Sequence, residues 1–244
     1  MGGKPNLPDR YEPTRLLGEG GTGRVWLCRD TQAWNRPVAV KILVVGGDET
    51  EFRKEFATLA TLTHPNIPEI YSFGETDSGT CFFALEYVDG LTFVDSVQDE
   101  GFEVFAGLAV EALQALWFIH DFGLVHRDLK PHNLLVRRRS RNGCRVVMLD
   151  FGLAESRRES RGETAGTLQY MAPELFEGAT PGIKSDLYAL GVVFLEALLG
   201  RPLVHEDPSV DLAAFLQAVK VPADAESLPA DIPGGLSTWL NTLR

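Results

Sequence analysis

Cysteine is scarce in this 244-residue chain: Cys28, Cys81 and Cys144 are scattered and odd in number. They show neither a disulfide framework nor metal-ligand spacing, and they fit reduced thiols of a cytoplasmic protein. No apolar stretch follows Met1-Gly2-Gly3-Lys4-Pro5, so a secretory signal pattern is missing. Asn6 stands where an N-myristoylation signal wants serine or threonine. The longest candidate apolar run, Leu187 to Leu199, is too short to cross a bilayer and contains Glu196, so no membrane segment is expected. Cationic excess is missing as well. Lys and Arg total 23 against 34 Asp and Glu, a net charge of −11, which argues against non-specific binding to nucleic acid or to an anionic membrane. Internal repeats and low-complexity tracts are absent from the sequence.

What is present is ordinary for a globular protein: 44% apolar and 23% charged residues, in a length that suits one large domain or two small lobes. Residues 1–10 hold two glycines and two prolines and read as a loose tail. From Tyr11 short apolar runs alternate with turn residues. Leu16-Leu17, Val25-Trp26-Leu27, Val38-Ala39-Val40 and Phe82-Phe83-Ala84-Leu85 read as strands. Phe52, Phe56, Leu59 and Leu62 recur at helical spacing over about 49–62, where His64-Pro65 stops the pattern. After Asp89-Gly90 the character changes. Phe105, Leu108, Ala112, Leu116 and Ile119 mark a long amphipathic helix. Short strands at 133–136 and 146–149 join through the tight-turn pair Asn142-Gly143, and a second apolar helix covers about 186–199. The reading is α+β: a strand-rich first third, then a helix-rich remainder.

Four motifs carry chemistry. Gly18-Glu19-Gly20-Gly21-Thr22-Gly23 lets a backbone approach phosphates and offer its amides. Alone it is weak, since a dinucleotide-binding fingerprint shares it. That fingerprint needs a helix directly after the glycines, and Val25-Trp26-Leu27-Cys28 reads as a strand. Lys41 ends the apolar run Val38-Ala39-Val40, and after a glycine hairpin it becomes a point charge for phosphate. It needs a carboxylate to hold it. Glu55 lies on the following helix, where such an acid is more often simply solvated. In His126-Arg127-Asp128-Leu129-Lys130-Pro131-His132-Asn133, Asp128 can accept a hydroxyl proton, Lys130 can neutralise a phosphate and Asn133 can hold a metal. Asp150-Phe151-Gly152 places a carboxylate at a strand end, which suits Mg²⁺.

Together, these motifs resemble the eukaryotic-type protein kinase superfamily in its serine/threonine branch, from about Tyr11 to the end of the chain. Ala172-Pro173-Glu174 matches the close of the activation segment, and Asp186 the acid that braces the catalytic loop. The short loops between motifs resemble those of bacterial members. The resemblance implies a two-lobed fold: residues 11–88 the N-lobe and hinge, 89–244 the C-lobe. It implies ATP and Mg²⁺ as cofactors and proteins bearing serine or threonine as substrates. Leu17, Gly18, Glu19, Gly20, Gly21, Thr22, Gly23 and Val25 would cover the nucleotide. Ala39, Glu86 and Val88 would frame the adenine, with Leu85 gating the pocket behind it. Lys41 would grip the phosphates with Glu55. Asp150 and Asn133 would hold Mg²⁺, Asp128 would orient the acceptor hydroxyl, and Lys130 followed by Pro131 marks the serine/threonine type.

The resemblance also makes Arg127 a partner for an activation-segment phosphate at Ser156, Ser160 or Thr164. Glu163 stands near the site of the usual phosphothreonine, and Thr167 matches the threonine that buttresses Asp128 and Lys130. Thr92 and His132 occupy positions where basic-directed relatives carry acids, which argues against a strong preference for basic peptides. The arginines at 137, 138, 139, 141 and 145 read as a solvated hairpin. The chain departs from the pattern near its end. Helices are expected at about 211–219 and 236–243, fewer than the family has, with no arginine well placed to pair with Glu174. The C-lobe therefore reads as truncated, with exposed apolar surface and low stability expected. An active kinase is the leading reading. A nucleotide-binding scaffold without turnover is the alternative, and the intact Lys41, Asp128, Asn133 and Asp150 weigh against it.

Overall fold

A computed structural model describes residues 5–20, 23–43, 47–98, 100–139, 143–150 and 168–202. The described residues fall into two compact units that divide between Asp89 and Gly90.

The first unit is built on a five-stranded antiparallel sheet in the order β1-β2-β3-β5-β4. Its strands are β1 (Tyr11–Gly20), β2 (Gly23–Asp30), β3 (Arg36–Leu43), β4 (Ile70–Glu75) and β5 (Cys81–Glu86). One helix, α1 (Glu49–Thr61), joins β3 to β4. Side chains alternate across a strand, so each strand serves two faces. Val38, Val40 and Ile42 of β3 join Tyr11, Trp26, Cys28, Phe82 and Ala84 in one buried cluster. The residues between them, Ala39 and Lys41, point to the other face, as does Phe83 of β5, which pairs with Lys41 in the register. The α1 helix packs on that second face: Phe52 meets Phe83 at 5.0 Å between ring centroids, and Phe56 meets Phe73 at 4.9 Å. The helical spacing of Phe52, Phe56, Leu59 and Leu62 thus reads out as an inner face.

Strand β4 escapes the sequence pattern. Ile70 to Phe73 are all half-buried, a register shift falls between Ile70 and Ser72, and Gly74 interrupts the run, so no period of two survives. Segment 5–10, expected as part of a loose tail, is tied to the sheet. Leu7 packs on the core, Thr31 donates its amide to Arg10 O, and Arg10 grips the fully buried Asp30 through two hydrogen bonds of 2.9 Å.

The second unit begins with β6 (Leu91–Thr92) and α2 (Phe93–Val97), followed by α3 (Phe102–Asp121). A 3-10 turn at Pro131–Asn133 leads into β7 (Leu134–Arg139) and β8 (Gly143–Met148), which complete a sheet ordered β6-β7-β8. Then come α4 (Pro173–Phe176) and α5 (Ile183–Leu199). The α3 stripe Phe105, Leu108, Ala112, Leu116 and Ile119 is buried as its spacing requires, widened by Ala109 and Ala115. Phe93, Phe105 and Phe194 meet one another at 5.2 to 5.9 Å and lock α2, α3 and α5 together. Gly90 admits β7 closely, since a Cβ there would lie 2.5 Å from Val136 O.

Two expectations change. Among the described residues one helix, α3, is long and apolar enough to cross a membrane by length and composition alone, where the sequence reading takes Leu187–Leu199 as the longest apolar run; 39% of the apolar stretch of α3 is buried within the protein. The apolar helix expected from 186 begins at Ile183, where the Ser185 hydroxyl donates to Gly182 O and accepts the Gly182 amide. The helices expected at 211–219 and 236–243, and with them the proposed truncation, lie outside the described residues.

Candidate active site

The first unit assembles the phosphate-facing half of the expected constellation. β1 and β2 form a hairpin whose Gly20 pairs with Gly23; Gly21 and Thr22, at its tip, lie outside the described residues. Gly23 is required by packing, because a Cβ there would lie 2.6 Å from Ile42 O. A Cβ on Gly18 or Gly20 would meet nothing within 4 Å, so there the glycines leave one side of the strand open. Leu17 is partly exposed, and the Glu19 side chain is bonded to Arg24 at 2.9 Å, which leaves its backbone as the part suited to a ligand. The β2–β3 register sets Val25 opposite Lys41, and the β3–β5 register sets Ala39 opposite Leu85 and Val38 opposite Glu86. Val88, two residues on, is buried.

Lys41 Nζ donates to Glu55 Oε1 at 2.5 Å, with both side chains under 10% exposed. Glu55 is therefore not a solvated helix acid. Strand alternation puts Lys41 on the face that α1 covers, and three residues along the helix from Phe52 brings Glu55 to the same face. A buried ion pair of this kind costs desolvation that its attraction must offset, so it marks a position held for charge.

The second unit assembles the catalytic loop. Asp186, 2% exposed in the first turn of α5, accepts three hydrogen bonds: from the His126 amide (2.7 Å), from the Arg127 amide (2.8 Å) and from His120 Nε2 (2.9 Å). His126 is fully buried. Its Nε2 donates to Leu149 O at 2.9 Å and its Nδ1 accepts the Asp128 amide at 3.3 Å, which defines the neutral tautomer. Burial pushes its pKa down, against the opposing pull of Asp186 and Asp128. The imidazole thus ties the catalytic loop to the end of β8.

Asp128 itself is 7% exposed. Lys130 Nζ donates to its Oδ2 at 3.0 Å and its Oδ1 at 3.2 Å, and Asn133 Nδ2 donates to its Oδ2 at 3.0 Å and its backbone oxygen at 2.7 Å. With the Asn133 amide hydrogens committed to Asp128, its Oδ1 is the atom suited to a hard cation. Asp150, exposed at the end of β8, supplies a carboxylate of the right chemistry. Arg127 and Asp150 both hold positive φ, 68° and 48°. Left-handed backbone at two non-glycine residues of one loop system is the kind of local strain that a functional geometry sustains.

Sequence reading brought out Asp128, Lys130, Asn133 and Asp186 but missed His120 and the contact of Tyr170 with Glu196, a buried 2.8 Å hydrogen bond. Only the partners identify these, since a helix histidine or tyrosine looks the same in any core. Thr92, considered for substrate choice, caps α2: its hydroxyl accepts the Asp95 amide and donates to the Asp95 carboxylate. Phe151, Gly152, Ser156, Ser160, Glu163, Thr164 and Thr167 lie outside the described residues, as does the tip of the arginine hairpin.

A lysine–glutamate pair beneath a glycine hairpin in the first unit, and a braced Asp-Lys-Asn loop in the second, are the features of the protein kinase class. The chain belongs to the protein kinase family: the protein kinase domain profile matches residues 11–231. It is 38% identical to the serine/threonine-protein kinase PknB of Mycobacterium tuberculosis, over 93% of this chain and 39% of that protein. It is 33% identical to the probable serine/threonine-protein kinase PknB of Lactococcus lactis, over 84% of this chain and 34% of that one. A probable serine/threonine-protein kinase of Clostridium acetobutylicum shares 32%, over 96% and 36%. The chain thus spans little more than a third of the length of these curated relatives.

Proposed function

We propose that this chain transfers the γ-phosphoryl group of ATP to serine or threonine hydroxyls of proteins. The observation that carries the reading is the Asp128–Lys130–Asn133 cluster, in which an ammonium and an amide hold one carboxylate in a single orientation. Phosphoryl transfer needs mainly positioning and charge stabilisation, because the group in flight is loose and anionic. Asp128 accepts the hydrogen bond of the acceptor hydroxyl and orients it. Lys130, a quarter exposed, offers its charge to the phosphoryl oxygens. Lys41, held by Glu55, grips the phosphates, and the glycine hairpin supplies amides above them.

Mg²⁺ fits the residues present: Asn133 Oδ1 and the Asp150 carboxylate are hard oxygen donors. Held by these oxygens, it would supply positive charge to neutralise the phosphates. The chain's own part is to hold these oxygens and to keep Asp128 aimed. The names of the relatives support serine/threonine substrates, the scattered cysteines fit a reducing, cytoplasmic compartment, and the negative net charge argues against non-specific nucleic-acid binding.

The test is transfer from labelled ATP–Mg²⁺ to a generic protein substrate, wild type beside Asp128→Ala, with autophosphorylation followed in parallel. Transfer that disappears in the variant supports the reading. Wild type that binds ATP yet transfers nothing supports the scaffold alternative instead.

A further inference from the structure

Outside the constellation above, one polar cluster ties α1 to the sheet. Arg53, on α1, donates from Nη2 to Glu75 Oε1 at 2.7 Å and from Nε to Glu49 Oε1 at 2.7 Å. Its guanidinium carbon lies 4.9 Å from the Phe73 ring centroid, and Nη2 is 3.6 Å from Cys81 Sγ. Glu75 ends β4 and pairs with Cys81, the first residue of β5, so the anchor is a hydrogen-bonded strand pair. The donor atoms of Glu49, Glu75 and Cys81 lie close enough together to suggest a metal site. Arg53 already bonds both carboxylates, and that charge pairing accounts for the cluster.

The position of Arg53 on the helix gives the cluster its meaning. At about 100° per residue, Arg53 and Glu55 stand roughly 200° apart around α1. Lys41 therefore holds one side of the helix and Glu75 the other. A helix held along one face, through Glu55, Phe52, Phe56 and Leu59, can roll about its axis and carry the carboxylate away from Lys41; a second anchor on the far side resists the roll. We propose that Arg53 is a positioning residue for phosphoryl transfer, bridging α1 to β4 so that Glu55 stays against Lys41. This rests on the kinase reading above. Arg53 and Glu75 are each about half exposed, so the bridge adds little to global stability and acts through geometry.

The test uses the full chain and the variants Arg53→Ala, Arg53→Lys, Glu75→Gln, Glu75→Ala and Arg53→Ala/Glu75→Ala. Four quantities are read: KM for ATP, kcat, the melting temperature, and hydrogen exchange of the α1 amides. Arg53→Ala and Glu75→Gln should raise KM for ATP about fivefold, the size expected from losing one exposed ion pair at the upper end of its range. The melting temperature should barely move, and α1 amides should exchange faster while those of β3 and β5 do not. Arg53→Lys should recover part of the loss, and the double alanine variant should be no worse than Arg53→Ala alone. Unchanged KM and exchange, or effects of the two alanine substitutions that simply add, would overturn the proposal. If wild type transfers no phosphate, the kinase reading fails; α1 exchange and the affinity for a fluorescent ATP analogue then still decide whether Arg53 holds the helix.

Discussion

Lys130 Nζ sits within 3.2 Å of both carboxylate oxygens of Asp128. With Asn133 on the same oxygen, the carboxylate is held from two sides. Replacing Asp128 by Asn keeps the shape and removes the charge. Transfer should fall about 10³-fold, the scale of a lost general base, while ATP affinity stays near wild type. Lys130→Ala should cost about 10²-fold in kcat, the scale of one lost charge-stabilising donor. Steady-state kinetics beside nucleotide titration separates the two effects. Loss of ATP binding in Asp128→Asn would show that the residue is structural.

Lys41 and Glu55 make a different prediction, because their pair is buried. Glu55→Gln removes the charge that Glu55 sets against the buried Lys41 ammonium and should destabilise the fold by about 3–5 kcal/mol. Lys41→Met/Glu55→Leu removes both charges and should recover most of that stability while transfer stays abolished. Urea denaturation beside an activity assay checks this. Recovered stability with recovered activity would contradict the phosphate-gripping role of Lys41.

His126 sets a pH dependence. Its folded pKa is depressed by burial, so below the ordinary value of 6.5 the unfolded chain binds a proton that the folded chain refuses. More protons on the unfolded state means that stability rises with pH. The contribution is complete above 6.5 and is lost as pH falls from 6.5 toward the folded pKa. The urea midpoint of wild type should drop across this window, and His126→Asn should flatten the drop. Asp30 behaves separately: Arg10 holds its carboxyl below the ordinary 3.8, so its contribution is lost only below that value. An unflattened slope in His126→Asn would assign the window to other groups.

Arg10 and Asp30 test the strap at the start of the chain. Arg10→Ala leaves the buried Asp30 with the Gln32 amide and a distant Arg36, and should cost about 2 kcal/mol, the size of a charged hydrogen bond. KM for ATP should not change. A large kinetic effect without a stability change would mean that the strap communicates with the glycine hairpin.

The cysteines are a smaller matter of the same kind. Burial pushes the Cys28 thiol up to about 12 and raises Cys81 as well, so both should resist alkylation in the folded protein. Exposed Cys144 should react, and mass spectrometry after brief treatment with a thiol reagent distinguishes the three.

Much of this was legible in one dimension because its causes are local. The hairpin in which Gly20 pairs with Gly23, the 3.6-residue stripe of α3 and the spacing of Asp128, Lys130 and Asn133 within one loop all lie within a few residues of what they specify. Strand β4 was not legible, since its half-buried residues and bulge follow from its neighbour β5 rather than from any pattern of its own. Long-range partners were legible only through the family resemblance. Asp186 reaches the loop across some 60 residues, and residue spacing alone left Glu55 a solvated acid until sheet register and helix phase brought it to Lys41. Sequence determined which groups the protein has and which way its strongly periodic elements face. Tertiary structure decided which charges are buried against which, because burial is a property of the packed whole and of no segment alone.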